Sequence, residues 1–252
     1  MIHLVGAGCG AADLITVRGK NLLEQADVII HAGSLVNPEL LDYKKAGCRV
    51  YDSAKMTLEE VLSVMFDAEA AGFDIVRLHT GDPCLYGAIR EQMDELDKRG
   101  IDYDYCPGVS AFSGAAAALK MEYTLPDISQ SVVITRMAGR TPVPERESVR
   151  AFAAHGATMV LFLSAGLLEK TQAELLAGGY KEDTPAAIIY KASWPDEKTC
   201  LCTVGTLADC ACENGISKIA LIIVGDAVKQ SGYARSKLYD PTFTTEFRAA
   251  KE

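Results

Sequence analysis

The sequence of 252 residues predicts an α/β protein, and two observations support that prediction. Short apolar runs rich in β-branched residues alternate with helix-like patterns from the first residue onward, which is typical of a layered sheet with helical crossovers. Hydrophobic residues make up 49% and charged residues 23% of the chain, enough to bury a core. The length fits one large domain or two modest ones.

The first half of the chain predicts a mostly parallel sheet. Strands are predicted where Val, Ile and Leu dominate, at residues 2–5, 28–31 and 75–79. Helices are predicted at residues 17–25, 58–66, 85–96 and 110–119. Thr16 is placed to cap the first of these, and Thr57 with Glu60 forms a capping-box pattern ahead of the second. Ser110 is placed to cap the Ala-rich fourth helix.

The second half restarts the alternation after an irregular segment that contains Pro126. Strands are predicted at residues 132–135, 159–163, 186–190 and 219–224, and helices at 147–155 and 168–177. Residues 200–204 fit a hairpin partner, so this sheet is expected to be mixed rather than all parallel. We expect two α/β domains at residues 1–120 and 131–232, a linker at 121–130 and a tail at 233–252.

The charge balance excludes several classes of partner. The chain carries 25 basic and 34 acidic residues, a net charge of −9. Nucleic acids and anionic membranes are bound mainly through Lys and Arg, so neither is expected as a partner. The start of the chain lacks a basic region followed by a signal-type apolar stretch, and the longest apolar run is only 219–224. A cytoplasmic protein is therefore expected.

The chain contains eight cysteines, which we expect to be mostly reduced thiols rather than a disulfide framework or a metal site. Cys200 and Cys202 share the face of an extended stretch. Cys210 and Cys212 follow Thr206, a plausible helix cap, and on a helix they would point about 200° apart. Zinc sites usually place two or more residues between paired cysteines, so no metal is expected.

Five motifs rich in glycine, proline or charged residues lie at strand exits and in loops. They are GAGCG at 6–10, HTGDPCLYG at 79–87, CPGVSAFSGAAAALK at 106–120, TRMAGRTPVPE at 135–145 and YKASWPDEK at 190–198. The first differs from the dinucleotide fingerprint in its third glycine, and no acidic residue clearly ends the second strand. A Ser-His-Asp set, a metal-binding histidine pattern and a phosphate loop are all missing from the sequence, so no catalytic residue is identified.

In this order the motifs resemble the tetrapyrrole methylases, enzymes of corrin and sirohaem synthesis that use S-adenosylmethionine. The resemblance runs from the first residue to about Val228. HTGDPCLYGAIREQ, TRMAGRTPVPE and YKASWPDEK resemble the branch that methylates C11 of precorrin-4 or its cobalt form. The family usually shows G-x-G-P-G at the start, and here Cys9 replaces the proline.

The resemblance implies two α/β domains with an active-site trough between them, a homodimer, and S-adenosylmethionine as cofactor. The implied cofactor-binding positions are Thr80, Gly81, Asp82, Leu85, Ser110, Ala111, Leu163, Ala192 and Ala220. The tetrapyrrole carries many carboxylates, which arginine recognises well. The positions expected to meet the substrate are Gly8, Gly10, Arg136, Arg140 and Lys191.

The implied reaction is a direct displacement, in which C11 of the macrocycle takes the methyl group from the sulfonium. Alternatives inside the family are methylation at another ring position and uroporphyrinogen III C-methylation. Alternatives outside it are a nicotinamide-dependent oxidoreductase and a non-catalytic tetrapyrrole carrier. The sequence leaves open whether the substrate already contains cobalt.

Overall fold

The computed structural model describes residues 1–251, which divide into two compact units. The first comprises Met1–Ala115 together with Lys191–Glu197. The second comprises Ala116–Tyr190 and the described residues from Lys198 onward. Sequence reasoning placed residues 191–197 in the C-terminal domain, whereas in the structure they pack with the first unit.

The first unit is built on a five-stranded sheet in which every neighbouring pair is parallel. Its strands are β1 (Ile2–Gly6), β2 (Val28–His31), β3 (Arg49–Asp52), β4 (Ile75–His79) and β5 (Tyr103–Cys106). They lie in the order β3-β2-β4-β1-β5, so β1 and β4 are central. The predicted parallel sheet is confirmed, and β3 and β5 are added to it.

Three helices connect these strands and a fourth follows β5, and two of the four begin at the caps that the sequence predicts. They are α1 (Val17–Gln25), α2 (Leu58–Ala70), α3 (Arg90–Lys98) and α4 (Ala111–Leu119). The Thr16 hydroxyl accepts a hydrogen bond from the Gly19 amide at 3.1 Å, as predicted. Thr57 and Glu60 form the predicted capping box ahead of α2.

Helix α3 begins at Arg90, five residues later than predicted. Tyr86 and Ala88 have φ angles of +57° and +48°, in the left-handed region that cannot continue a right-handed helix. The apolar spacing that predicted a helix from residue 85 is present, but the backbone of residues 83–89 forms an irregular loop instead.

The second unit contains a five-stranded mixed sheet, as predicted. Its strands are β6 (Val132–Arg136), β7 (Thr158–Phe162), β8 (Pro185–Tyr190), β9 (Lys198–Thr203) and β10 (Ala220–Val224). They lie in the order β6-β7-β10-β8-β9. Only the β6–β7 pair is parallel, and the predicted hairpin joins β8 to β9. Helices α5 (Val149–Ala153), α6 (Leu168–Ala177) and α7 (Leu207–Glu213) complete the unit.

Polar contacts inside the second unit hold the segment before β6 to the sheet and hold the tail to itself. The Thr158 hydroxyl is fully buried and donates to the Tyr123 carbonyl at 2.9 Å. In the predicted tail, Arg248 donates to the carbonyls of Leu238 at 3.0 Å and Asp240 at 2.6 Å. The last residue of that predicted tail lies outside the described residues. Within residues 1–251, no helix is long and apolar enough to cross a membrane.

The capping box of α2 makes a testable contribution to stability. Thr57→Ala removes the acceptor for the Glu60 amide, which lies 3.3 Å from the hydroxyl. We expect the variant to lose about 1 kcal/mol of unfolding free energy. Thr57→Ser keeps the acceptor and should stay within a few tenths of a kcal/mol of the parent. Urea unfolding of the three proteins measures this, and equal midpoints for Ala and Ser would contradict it.

Candidate active site

The carboxyl ends of β1, β4 and β5 meet at one edge of the first sheet, where ligands sit in open α/β sheets. β1 and β4 are in register up to the pair Gly6 and His79. Beyond the strands, Gly8 and Gly81 exchange two backbone hydrogen bonds of 3.2 and 3.0 Å. The GAGCG and HTGDP motifs are therefore adjacent in space.

The backbones of Gly6, Gly81 and Gly108 touch at this edge, so glycine is required at Gly6 and Gly108. A Cβ on Gly6 would lie 2.6 Å from the Cα of Gly108 and 2.7 Å from the Gly81 carbonyl oxygen. A Cβ on Gly108 would lie 2.2 Å from the same oxygen. Real Cβ atoms do not approach backbone this closely, so any side chain here would push the strand exits apart.

Asp82 connects two of these strand exits. Its carboxylate accepts hydrogen bonds from the Cys84 amide at 2.8 Å, the Gly108 amide at 2.9 Å and the Tyr105 hydroxyl. Partial burial raises its pKa, but the hydrogen bonds from Tyr105, Cys84 and Gly108 outweigh burial and leave the pKa below its ordinary value. Asp82 is therefore an anion at neutral pH whose first role is to hold the turn.

Six of the nine predicted cofactor positions lie in the first unit near this edge. Gly81 has a φ of +60°, and a Cβ on it would lie 3.3 Å from the Ala111 amide nitrogen and 3.7 Å from the Ser110 Cα. The turn after β4 and the start of α4 are therefore in direct contact. The six positions are Thr80, Gly81, Asp82, Leu85, Ser110 and Ala111.

The other three cofactor positions lie elsewhere in the two units. Ala192 belongs to the first unit and is buried. Ala220 begins β10, and Leu163 follows β7 with a φ of +52° and 66% exposure. The ladder between β7 and β10 ends at the pair of Leu161 with Ile222, so neither of these two cofactor positions is part of it. The cofactor role of all nine positions stays a prediction.

The glycine loop after β1 is in contact with the segment Lys191–Glu197. A Cβ on Gly10 would lie 2.3 Å from the Ala192 carbonyl oxygen and 2.4 Å from Trp194 Cδ1. The Ser193 hydroxyl accepts from the Ala11 amide at 3.0 Å and lies 3.5 Å from Cys9 Sγ. Contacts within the chain therefore explain the need for glycine at Gly10, and its predicted contact with substrate stays a prediction.

Gly8 is constrained in the same way. It has a φ of +84°, and a Cβ on it would lie 2.7 Å from the Leu14 carbonyl oxygen. Its amide and carbonyl are both used in the pairing with Gly81. Protein neighbours thus account for this glycine as well, while its predicted contact with substrate remains untested.

A cavity of about 350 Å³ opens beside this loop, and it differs in character from the glycine edge. Its walls include the carboxylates of Asp13 and Glu39 and the rings of Tyr43 and Trp194. None of the predicted cofactor residues lines it. Its two carboxylates would repel a substrate rich in carboxylates.

The three predicted substrate cations are in different situations. Arg136 donates to the carbonyls of Met137, Thr141 and Pro142, at 3.4, 3.3 and 2.7 Å, and so braces its own loop. Lys191 is paired with the Asp196 carboxylate at 2.7 Å.

Arg140 is exposed, and its guanidinium has no hydrogen-bond or ion-pair partner within residues 1–251. Of the three predicted cations, it is the one whose donors are available to a carboxylate.

Sequence reasoning missed a polar layer beneath the strand exits. Arg77 and His79 alternate on β4 and are 7% and 3% exposed. Burial, with a smaller effect of Arg77, lowers the pKa of His79 to about 3, so the imidazole is neutral at pH 7. Its Nε2 has no partner in the described chain. The sequence feature that could have predicted this layer is the pair of polar residues in the otherwise apolar strand IVRLH.

The cysteines are all free thiols in the described chain. Cys200 and Cys202 share a face of β9 and pack, with Cys210, in or against the core of the second unit. Burial raises the pKa of Cys200, and it raises that of Cys202 to about 12. Such thiols are poor nucleophiles at neutral pH. Residues 1–251 contain no cluster of three or more residues suited to a metal ion.

Comparison with known proteins agrees with this architecture. Residues 1–208 match the model of the tetrapyrrole (corrin/porphyrin) methylases. The chain belongs to that family. It is 52% identical to a cobalt-precorrin-4 C(11)-methyltransferase of Methanocaldococcus jannaschii, over 98% of this chain and 95% of the relative.

Two solved structures of the family are also similar. A cobalt precorrin-4 methyltransferase is 47% identical and superposes with a TM-score of 0.88, covering 90% of this chain and 95% of the other. A uroporphyrin-III C-methyltransferase of Thermus thermophilus, complexed with S-adenosylhomocysteine, is 25% identical with a TM-score of 0.75. That comparison covers 91% of this chain and 99% of the other.

The hydrogen bonds to Asp82 predict how stability depends on pH. Asp82→Asn keeps one acceptor oxygen but turns an NH2 group toward either the Gly108 or the Cys84 amide, which should cost about 1–2 kcal/mol at pH 7, reduced by partial solvation. Because the folded-state pKa lies below the ordinary value, this contribution is complete above about pH 5.

The contribution should disappear as the pH falls below about 4, through the folded pKa. Urea unfolding of parent and variant between pH 3 and pH 8 measures the difference. A difference that does not change across this range would show that the charge of Asp82 does not stabilise the fold.

Proposed function

We propose that this protein transfers the methyl group of S-adenosylmethionine to C11 of precorrin-4 or of its cobalt form. The observation that carries the proposal is the 52% identity, over nearly the whole of both chains, to a cobalt-precorrin-4 C(11)-methyltransferase. The TM-score of 0.88 with a cobalt precorrin-4 methyltransferase supports it. The solved relative bound to S-adenosylhomocysteine supports the methyl donor.

The glycine edge of the first sheet suits the proposed methyl donor. Its surface is made of backbone and small side chains at Gly81 and Ala111, which lets a ligand approach closely. Asp82 adds a negative charge beside the turn, which favours a cationic donor over an anionic nucleotide. When bound, S-adenosylmethionine supplies an electrophilic methyl group on a sulfonium.

In this proposal the residues of the chain bind, orient and exclude water rather than form a covalent bond. The turn after β4 and the start of α4 hold the donor, and Asp82 keeps that turn in place. Displacement at a methyl group requires the nucleophilic carbon and the departing sulfur to be in line, so alignment supplies much of the acceleration. A covalent nucleophile is not needed, which fits the raised pKa values of the Cys200 and Cys202 thiols.

The decisive experiment is incubation with S-adenosylmethionine carrying a ¹³C-labelled methyl group, and with a panel of tetrapyrroles. The panel contains precorrin-4, its cobalt form, other precorrins and uroporphyrinogen III. A label at C11, read by carbon NMR, is the expected result, and the two precorrin-4 arms decide the metal state of the substrate. A label at another position would identify a different methylase of this family.

Titration with S-adenosylhomocysteine separates the methylases from the other classes of protein. Calorimetry should show binding to the purified chain and no binding of NAD. A protein that binds the macrocycle but not S-adenosylhomocysteine would be a carrier rather than an enzyme. We further propose that the protein works in the cytoplasm as a homodimer, and light scattering of the purified protein tests the dimer.

Arg140 should recognise a carboxylate of the substrate. Its donors have no partner in the described chain, and each charge-assisted contact contributes about 1.5–3 kcal/mol. Arg140→Ala should therefore raise the KM for the tetrapyrrole about ten- to a hundredfold and leave that for S-adenosylmethionine unchanged. Arg140→Lys should recover part of the loss, because an ammonium cannot form the two-pronged contact.

Arg146 provides the matched control, since it is an exposed arginine that lies beside Glu147 at 3.5 Å. Arg146→Ala removes the same charge and should leave both Michaelis constants at the parent's values. Equal effects of Arg140→Ala and Arg146→Ala would show that only net charge matters. Arg136→Ala should instead lower stability, because it removes donors to three carbonyls of its own loop.

A further inference from the structure

The loop 83–89 between β4 and α3 is in a conformation that local preference does not favour. Tyr86 and Ala88 both have positive φ angles, a region that non-glycine residues rarely adopt because the Cβ crowds the backbone. Gly87 is packed so closely that a Cβ on it would lie 2.3 Å from the Pro83 carbonyl oxygen. A loop of this kind persists only if neighbouring groups hold it.

The group that holds the end of this loop is the side chain of Gln92, in the first turn of α3. Its Nε2 donates to the Ala88 carbonyl at 2.9 Å, and its Oε1 accepts from Arg77 Nε at 3.1 Å. Both Gln92 and Arg77 are buried, at 4% and 7% exposure. An amide is the side chain that serves both partners, because it donates at one end and accepts at the other.

Arg77 orients this amide from the central strand of the sheet. Its Nη1 donates to the Ile30 carbonyl of β2 at 3.1 Å, so the guanidinium is tied to two elements at once. No ion pair involving Arg77 is found within residues 1–251. Removing a cation from water costs free energy, and neutral acceptors offset only part of that cost. An arginine at this buried position of β4 therefore indicates a specific role.

The loop that this chain of hydrogen bonds holds starts at the predicted cofactor segment. The Asp82 carbonyl accepts from the Leu85 amide at 3.3 Å, and Leu85 leads directly into Tyr86. A change in the loop is therefore transmitted to the turn that carries Gly81 and Asp82.

We propose that Arg77 and Gln92 are positioning residues, which hold the loop 83–89 so that the segment from Thr80 to Leu85 is shaped to bind the methyl donor. This inference rests on the proposed function for the identity of the ligand. It assigns no contact with the donor to either residue.

Gln92→Glu tests the proposal with little change in shape. The carboxylate still accepts from Arg77, but it presents an oxygen to the Ala88 carbonyl in place of the amide donor. We expect the dissociation constant of S-adenosylhomocysteine to rise about five- to tenfold by calorimetry. The melting temperature should change little, because the new carboxylate pairs with the buried guanidinium.

Gln172→Glu is the matched control in the second unit. The Gln172 amide likewise bridges two groups, donating to the Gly205 carbonyl at 3.0 Å and accepting from the Ala208 amide at 2.9 Å. This variant should bind S-adenosylhomocysteine as the parent does. If Gln92→Glu kept the parent's affinity, whatever its melting temperature, Gln92 would not position the binding segment and the proposal would be overturned.

Hydrogen exchange keeps the test independent of the ligand. In Gln92→Glu, the amides of residues 84–89 should exchange faster than in the parent, while those of β4 keep their protection. Unchanged exchange in this loop would overturn the proposal whatever the affinity. If the parent itself failed to bind S-adenosylhomocysteine, the proposed function would fail, and the exchange experiment would still decide whether Gln92 holds the loop.

Discussion

The contact of three backbones at Gly6, Gly81 and Gly108 is the constraint on which the first unit depends. No side chain fits at Gly6 or Gly108, because a Cβ on either would lie 2.2–2.7 Å from a neighbouring backbone atom. The strand exits of β1, β4 and β5 can therefore converge, and the edge they form is made of backbone. Asp82 completes this edge by accepting from amides on two of the three exits, which a neutral side chain would do less strongly.

The polar layer below this edge is unusual for the centre of a parallel sheet. Arg77 and His79 occupy positions of β4 where apolar residues are the rule, and each loses hydration there. Arg77 replaces its lost hydration by donating hydrogen bonds to the Gln92 side chain and to the Ile30 carbonyl. His79 remains neutral and so avoids the desolvation cost of a buried charge. The Arg77 guanidinium thus lies close to the loop 83–89, whose backbone includes two non-glycine residues with positive φ angles. Directional hydrogen bonds are needed there to hold an unfavourable backbone conformation.

Local patterns in the sequence predicted most of the elements but not their spatial neighbours. Thr16, Thr57 and Glu60 marked helix starts correctly, because a cap acts within one turn. The late start of α3 could not be predicted, because the Ala88 carbonyl is held by Gln92, which is itself oriented by Arg77 of β4. Nothing in the local pattern indicates that residues 191–197 pack with the first unit, or that carbonyls of its own loop accept from Arg136.

Charge limits how such a protein can recognise an anionic substrate. The chain has a net charge of −9, so its long-range field opposes the approach of a polycarboxylate. At physiological ionic strength that field is screened beyond about 8 Å, whereas a direct guanidinium–carboxylate contact is screened much less. Recognition must then come from a few short contacts such as that proposed for Arg140. Added salt screens the repulsion between the acidic chain and the substrate, and it also weakens the guanidinium–carboxylate attraction. Because these two effects oppose each other, substrate affinity should depend on salt far less than it would in a basic cleft.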